Sequence, residues 1–350
     1  MIKVRVESLG KLDSSYYKYL FLYPPDGVIY LNKIKDTLIT SSRKFISYLK
    51  VKRIIYSSIG RFPIFKIRKV SSSDLDLYHT SHLFLFTDKP YVTDFEHYYI
   101  FFFTHYPAYS GIGKIIIKKL FKQKNLKYLL PWTYEAYNTI PEEIRKDPKI
   151  REKLKVIYPA VPAEEYVDKD FDKIRLLFVA RYFYAKGGST VLKVFENLNK
   201  RYDIEMFIVT PKKWISDKIL KKYNFIKWLE SLTDEGLRNL YRKSHIYVYP
   251  GYSDSFGFTI LEAMSYGNVV VTSEGFARRE IIENEKTGYI IKRDKDEIKK
   301  YTDVISSLIE NTNLIKEISL NAWKEIKYGK FSIGNRNKSL KEIYESSIKY

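Results

Sequence analysis

HIYVYPGYSDSFGFTILEAMSYGNVVVTS, residues 245–273, decides the fold of this chain. Two short apolar runs, IYVYP and VVVTS, flank a glycine-bearing loop, GYSDSFG, and a helical stretch that ends at Gly267. Neither run alternates polar with apolar residues, so each reads as a strand covered on both faces. Two such strands joined by a helix make one βαβ crossover between parallel neighbours.

The same alternation recurs outward from that unit. Strand-like runs are expected at MIKVRV (1–6), RIIYSSI (Arg53 to Ile59), YIFFFTH (Tyr99 to His105), IRLLFVAR (Ile174 to Arg181) and EMFIVT (Glu205 to Thr210), with longer helical patterns between them. The expected class is therefore α/β with parallel sheets covered on both faces. At 350 residues the chain exceeds one ordinary hydrophobic core, and 45% hydrophobic with 16% aromatic content can fill two. The Pro-containing segment YPAVPAEEYVDKDFDK, Tyr158 to Lys173, reads as the linker between two doubly wound domains. The expected division is 1–167, 168–330 and a last helix in 331–350, whose Leu340, Ile343, Tyr344 and Ile348 share one face and pack back across the domain cleft.

The absence of cysteine excludes disulfides, thiol nucleophiles and thiolate metal sites. MIKVRV lacks the apolar segment of a signal peptide, and the densest apolar run, YYIFFF at Tyr98 to Phe103, is far shorter than a membrane span. A cytoplasmic protein is expected, soluble or peripheral on the inner membrane face. The net charge of +20 is unevenly spread, with 25 basic and 13 acidic residues in positions 1–150 against 36 and 28 in the remainder. Such an excess suits nucleic acid, anionic lipid or phosphorylated substrates without choosing among them.

Chemistry concentrates at the ends of strands. Asp254 lies in the loop after IYVYP and Glu262 about one turn into the next helix, with Ser255 available as a cap and Gly257 permitting close backbone approach. Ligands of open α/β sheets bind at the carboxyl ends of strands, where helix N-termini offer N–H groups to anions. A carboxylate held one turn into a helix suits a vicinal diol such as a ribose. Spacing alone leaves a capping Asp and a solvated Glu equally open. A second loop, YFYAKGG after LLFVAR, carries Arg181 and Lys186 ahead of a helix starting near Ser189, which is a ready diphosphate clamp.

ARYFYAKGG (Ala180 to Gly188) and DSFGFTILEAMSYGNVVVTS (Asp254 to Ser273) together resemble the Arg and Lys-Gly motif and the acid-x7-Glu motif of the retaining glycosyltransferases of family 4, which have the GT-B fold. LKVIYPAVPAEEY (Leu154 to Tyr166) is similar to that family's interdomain stretch. The resemblance covers nearly all of 151–350 and is weaker before it. It implies two Rossmann-like domains facing across a cleft, and a hexosyltransferase-like enzyme of glycan biosynthesis. That enzyme takes a nucleotide-diphosphate sugar as donor, uses no cofactor and no metal, and acts on a lipid, glycan or protein acceptor. Carried over by position, it implies that Arg181 and Lys186 bind the pyrophosphate, Glu262 the ribose and Asp254 the transferred sugar, with Gly257, Phe258 and Thr259 presenting amides to the donor. Gly10 in ESLGKLD resembles the family's glycine-rich loop, and His97 in PYVTDFEHYY stands for its histidine near the sugar, with His105 the other candidate. Two departures stand out: Asp254 replaces the usual Glu, and Gly275-Phe276 or Phe276-Ala277 stands where paired glycines are common.

Three further features complete the reading. DLD, Asp74 to Asp76, mimics a metal-binding acid pair with nothing around it to support a metal. GKIIIKKLFKQKNLK, Gly113 to Lys127, has six lysines and no acid, with Ile116, Leu120 and Phe121 at helical spacing, and suits either an anionic membrane surface or a solvated helix face. A basic nucleic-acid-binding protein on a Rossmann-like scaffold is the alternative function. It explains the charge but not the acids beside Arg181 and Lys186, so nucleic acid is not the expected partner.

Overall fold

A computed structural model of the chain describes residues 1–9, 12, 14–32, 65–71, 74–103, 106–230 and 232–349. The expected strand Arg53 to Ile59, Gly10 and His105 lie outside the described residues. The chain divides into two compact units, Met1–Pro159 with Gly334–Tyr350, and Ala160–Ile333. The division falls ahead of Val167 because the polar segment after Pro159 is already tied to the second unit. Ala160 and Val161 are buried, the Trp323 Nε1–H donates to the Glu164 carbonyl at 2.9 Å, and the Tyr166 and Ser319 hydroxyls meet at 3.1 Å.

In the first unit, β1 (Ile2–Glu7), β2 (Val28–Tyr30), β4 (Leu77–Ser81), β6 (Tyr91–Phe95) and β7 (Leu126–Pro131) form a parallel sheet in the order β2-β1-β4-β6-β7. A separate parallel pair joins β3 (Ile67–Lys69) to β5 (Phe84–Phe86). The order reverses between β1 and β4, which is the switch point of a doubly wound sheet. The strand expected over Tyr99 to His105 is not formed as read. Tyr98–Phe101 is a 3-10 turn, and Phe101 and Phe102 are buried among Phe84, Phe95 and Phe121. A run that is apolar on every side carries no periodicity, so a buried turn and a buried strand look alike in sequence. The helix Ile333–Ile348 closes this unit with Leu340, Ile343 and Tyr344 buried, while Ile348 is exposed.

The second unit holds β8 (Arg175–Val179), β9 (Glu205–Val209), β10 (Lys227–Leu229), β11 (Ile246–Tyr249), β12 (Val269–Ser273) and β13 (Gly288–Ile291), in the order β10-β9-β8-β11-β12-β13 and parallel throughout. All five residues of β12 and all four of β11 are buried, as helices on both faces require. Starting from β8, the sheet grows to one side through β9 and β10 and then to the other through β11, β12 and β13. This is the dinucleotide-fold order, and its reversal lies between β8 and β11. Residues just beyond the carboxyl ends of those two strands are therefore where a ligand would be met.

Candidate active site

The loop after β8 carries Arg181, exposed, and Lys186, part-buried, and leads into the helix Gly188–Asn199. Gly187, at φ +89°, lets this loop press on the loop after β11, since a Cβ there would stand 2.5 Å from the Pro250 Cβ. The two loops are also bonded directly, the Gly251 N–H donating to the Lys186 carbonyl at 3.0 Å. Lys186 is thereby brought onto Asp254, with its ammonium donating to Asp254 Oδ1. The other oxygen, Oδ2, accepts from the Tyr249 hydroxyl at 2.6 Å and lies 3.7 Å from Arg278 Nη2. Burial and the neighbouring Tyr247 and Asp254 hold the Tyr249 phenol far above its usual range, so it remains a donor.

The helix that follows spans Phe258–Ser265 and starts on Gly257 in a left-handed conformation, without a side-chain cap. The N-cap position is thus Gly257, two residues past Ser255. Phe258 and Thr259 begin the helix, whose first N–H groups have no partner within it and carry the positive end of its dipole. Glu262 is half-buried one turn further on.

Arg278 was not singled out from the sequence. It stands after β12 in GFARRE with its side chain 1% exposed, donating from Nη1 to the Phe256 carbonyl at 2.7 Å and from Nη2 to the Gly251 carbonyl at 3.3 Å. The signal that could have found it is the one that found Arg181: a cation just past the carboxyl end of a buried strand. Ala277, in the region where paired glycines were expected, has φ +58°, a left-handed conformation glycine would adopt at lower cost.

In the first unit, His97 lies two residues past β6, with its ring stacked on Tyr99 at 4.8 Å. His82, beyond β4 at the switch point, was also missed. It has φ +57°, its Nδ1 is bonded to the Ser81 hydroxyl at 2.7 Å, and burial lowers its imidazole to about 4. The DLD acids are taken up by Lys3, whose ammonium meets Asp74 at 2.8 Å and whose N–H donates to Asp76 at 2.8 Å. The basic helix spans Gly111–Phe121, and three of its region's lysines are ion-paired: Lys114 with Glu143, and Lys118 and Lys122 with Asp147. Ile112, Ile115 and Lys119 form its exposed face. No helix among the described residues is long and apolar enough to cross a membrane.

Two Rossmann-like units of this kind define the GT-B fold class. Residues 164–325 match the family described as "Glycosyl transferases group 1". Among curated proteins, the chain is 21% identical over 216 residues to the phosphatidylinositol N-acetylglucosaminyltransferase gpi3 subunit of Schizosaccharomyces pombe, covering 58% of this chain and 45% of that protein. The chain spans about half the length of the curated relatives it matches. Among solved structures, a glycosyltransferase from Rickettsia africae superposes with a TM-score of 0.65 at 16% identity, covering 99% of this chain and 98% of that one. Anabaena HepE in complex with UDP-glucose does so with a TM-score of 0.62 at 14% identity, covering 99% and 100%.

Proposed function

We propose that this chain is a glycosyltransferase that moves a sugar from a nucleoside-diphosphate sugar to an acceptor hydroxyl, with the anomeric configuration retained and without a metal ion. The observation that carries this reading is the convergence, at one reversal of strand order, of the Lys186 loop, Asp254 and a helix N-terminus with Glu262 one turn in. Cations and the positive end of a helix dipole at that point suit a diphosphate, and a carboxylate on the adjoining helix suits the ribose hydroxyls. The family match and the UDP-glucose bound by a structure of the same fold support it.

In the reaction, the bond between the anomeric carbon and the diphosphate oxygen breaks as the acceptor oxygen bonds to the same face of that carbon. The leaving phosphate oxygen takes the acceptor's proton. Arg181, Lys186 and the helix N-terminus stabilise the charge that grows on the diphosphate, the task a divalent cation would otherwise perform. Asp254 attends the transferred hexose. The acceptor is a lipid, glycan or protein, and the exposed Ile112, Ile115 and Lys119 suit an anionic membrane surface that would present it.

The nucleic-acid alternative accounts for the net charge of +20 but not for a carboxylate, Asp254, held between Lys186 and Arg278. Calorimetric titration with UDP, GDP and ADP tests the proposal. One of them should bind, and Glu262→Ala should weaken it by about 2–3 kcal/mol through loss of charged hydrogen bonds to the ribose. A wild type that binds none, or a folded Glu262→Ala that binds as well as wild type, would overturn it.

A further inference from the structure

The loop from Gly251 to Gly257 is folded around a guanidinium. Arg278 donates to the carbonyls near both ends of the loop, at Gly251 and Phe256, and reaches the carboxylate of Asp254 between them. The guanidinium lies close against two glycines: a Cβ at Gly251 would stand 2.6 Å from Arg278 Nη2, and one at Gly257 2.8 Å from Nη1. The backbone at Ala277, immediately before, is left-handed to deliver the side chain inward. A buried cation without a compensating partner is costly, so the two carbonyls and the carboxylate are what keep this one in place.

Asp254 has a shared partner. Its Oδ1 takes the ammonium of Lys186, the same group the proposed function assigns to the donor's diphosphate. Moving Lys186 onto a phosphate removes one cation from a carboxylate whose side chain is only 14% exposed. Whether that exchange is cheap depends on what remains on Asp254, namely the Tyr249 hydroxyl and Arg278.

Resting on the reading of Lys186 as a diphosphate ligand, we propose that Arg278 is a positioning residue that frees Lys186 for the donor. It anchors Asp254 and the Gly251–Gly257 loop from within the protein, so that the ammonium can leave the carboxylate for the phosphate without stranding a half-buried charge. Tyr249 is the second anchor. Asp254 is thereby held in place while Lys186 changes partner.

The test is a double-variant cycle on the full chain, titrated with UDP, GDP and ADP and with the corresponding nucleosides. Arg278→Gln weakens the tightest-binding diphosphate by about tenfold and changes its nucleoside by no more than about twofold, because only the diphosphate calls on Lys186. Adding Asp254→Asn to Arg278→Gln removes the carboxylate that retains the ammonium and restores most of the lost affinity. Equal losses for diphosphate and nucleoside, or no recovery in the double variant, overturn the proposal by showing that Arg278 only supports the fold. If Arg278→Gln does not fold, Tyr249→Phe takes its place, with a smaller loss of the same pattern and the same recovery on adding Asp254→Asn. If the wild type binds no diphosphate, the donor reading falls instead. The anchor is then decided by amide hydrogen exchange over Gly251–Gly257: faster exchange in Arg278→Gln than in wild type supports it, and unchanged exchange overturns it.

Discussion

Asp94 on β6 and Asp254 after β11 each hold a tyrosine hydroxyl and a nitrogen base, one in each unit. Asp94 is fully buried, with the Tyr17 hydroxyl on Oδ1 at 2.7 Å and His79 Nε2 on Oδ2 at 2.9 Å. His79 in turn meets the Tyr344 hydroxyl at 2.6 Å, and that hydroxyl lies 3.1 Å from Tyr30. The chain of bonds thus runs from the helix Ser15–Leu22 through the sheet to the helix Ile333–Ile348. Asp254 lies on a loop instead of a strand, keeps an exposed edge, and has partners that are ionic on both oxygens. A sealed carboxylate whose partners span three elements fixes those elements. A loop carboxylate whose partner can move toward solvent is suited to exchange.

Asp94→Ala is the hardest test of that difference. It leaves His79 and Tyr17 buried with their hydrogen-bond potential unmet, and loss of one partner from such a network costs roughly 3–5 kcal/mol. Thermal or denaturant unfolding should register that loss, while nucleoside diphosphate binding by the folded fraction should stay unchanged. A drop in diphosphate affinity without a drop in stability would erase the contrast.

Lys186→Ala should show the reverse. Asp254 retains Tyr249 and Arg278, so stability should fall by less than about 1 kcal/mol, whereas the diphosphate should lose about 2 kcal/mol of binding. If this variant melts as early as Asp94→Ala, Asp254 is a structural carboxylate too.

The smallest effect concerns the outer face of the first unit. Sedimentation with anionic vesicles should depend on Ile112, Ile115 and Lys119 and should weaken as salt rises, with about 1 kcal/mol from a lysine at the surface. Lys114→Gln and Lys118→Gln should matter less, since those side chains are already paired with Glu143 and Asp147. Vesicle binding that follows Lys114 and Lys118 and ignores Lys119 would contradict that division.

The two units also differ in how far they could be read in advance. β8, β9, β11 and β12 are short buried runs separated by helices of ordinary length, and each appeared in the sequence within a residue or two of its observed bounds. In the first unit, β4, β6 and β7 carry tyrosine, histidine, threonine and aspartate inside the sheet, as in LYHTS and YVTDF. Among them, His79 and Asp94 are satisfied by each other, by Tyr17 and by Tyr344, and partners so distant along the chain leave no local pattern.

By itself, the sequence determined the parallel α/β class, the crossover at residues 245–273, and the placing of Lys186 and Asp254 in loops at strand ends. These follow from periodicity and from the rule that ligand loops lie at carboxyl ends, both of which are local. Tertiary structure alone decided that Arg278 threads the Asp254 loop, that residues 160–167 belong with the second unit, that the last helix belongs with the first, and that Lys114 and Lys118 of Gly111–Phe121 are ion-paired. Each of those depends on a charge or hydroxyl meeting a partner far along the chain. Burial makes such meetings strong, and chain connectivity gives no notice of them.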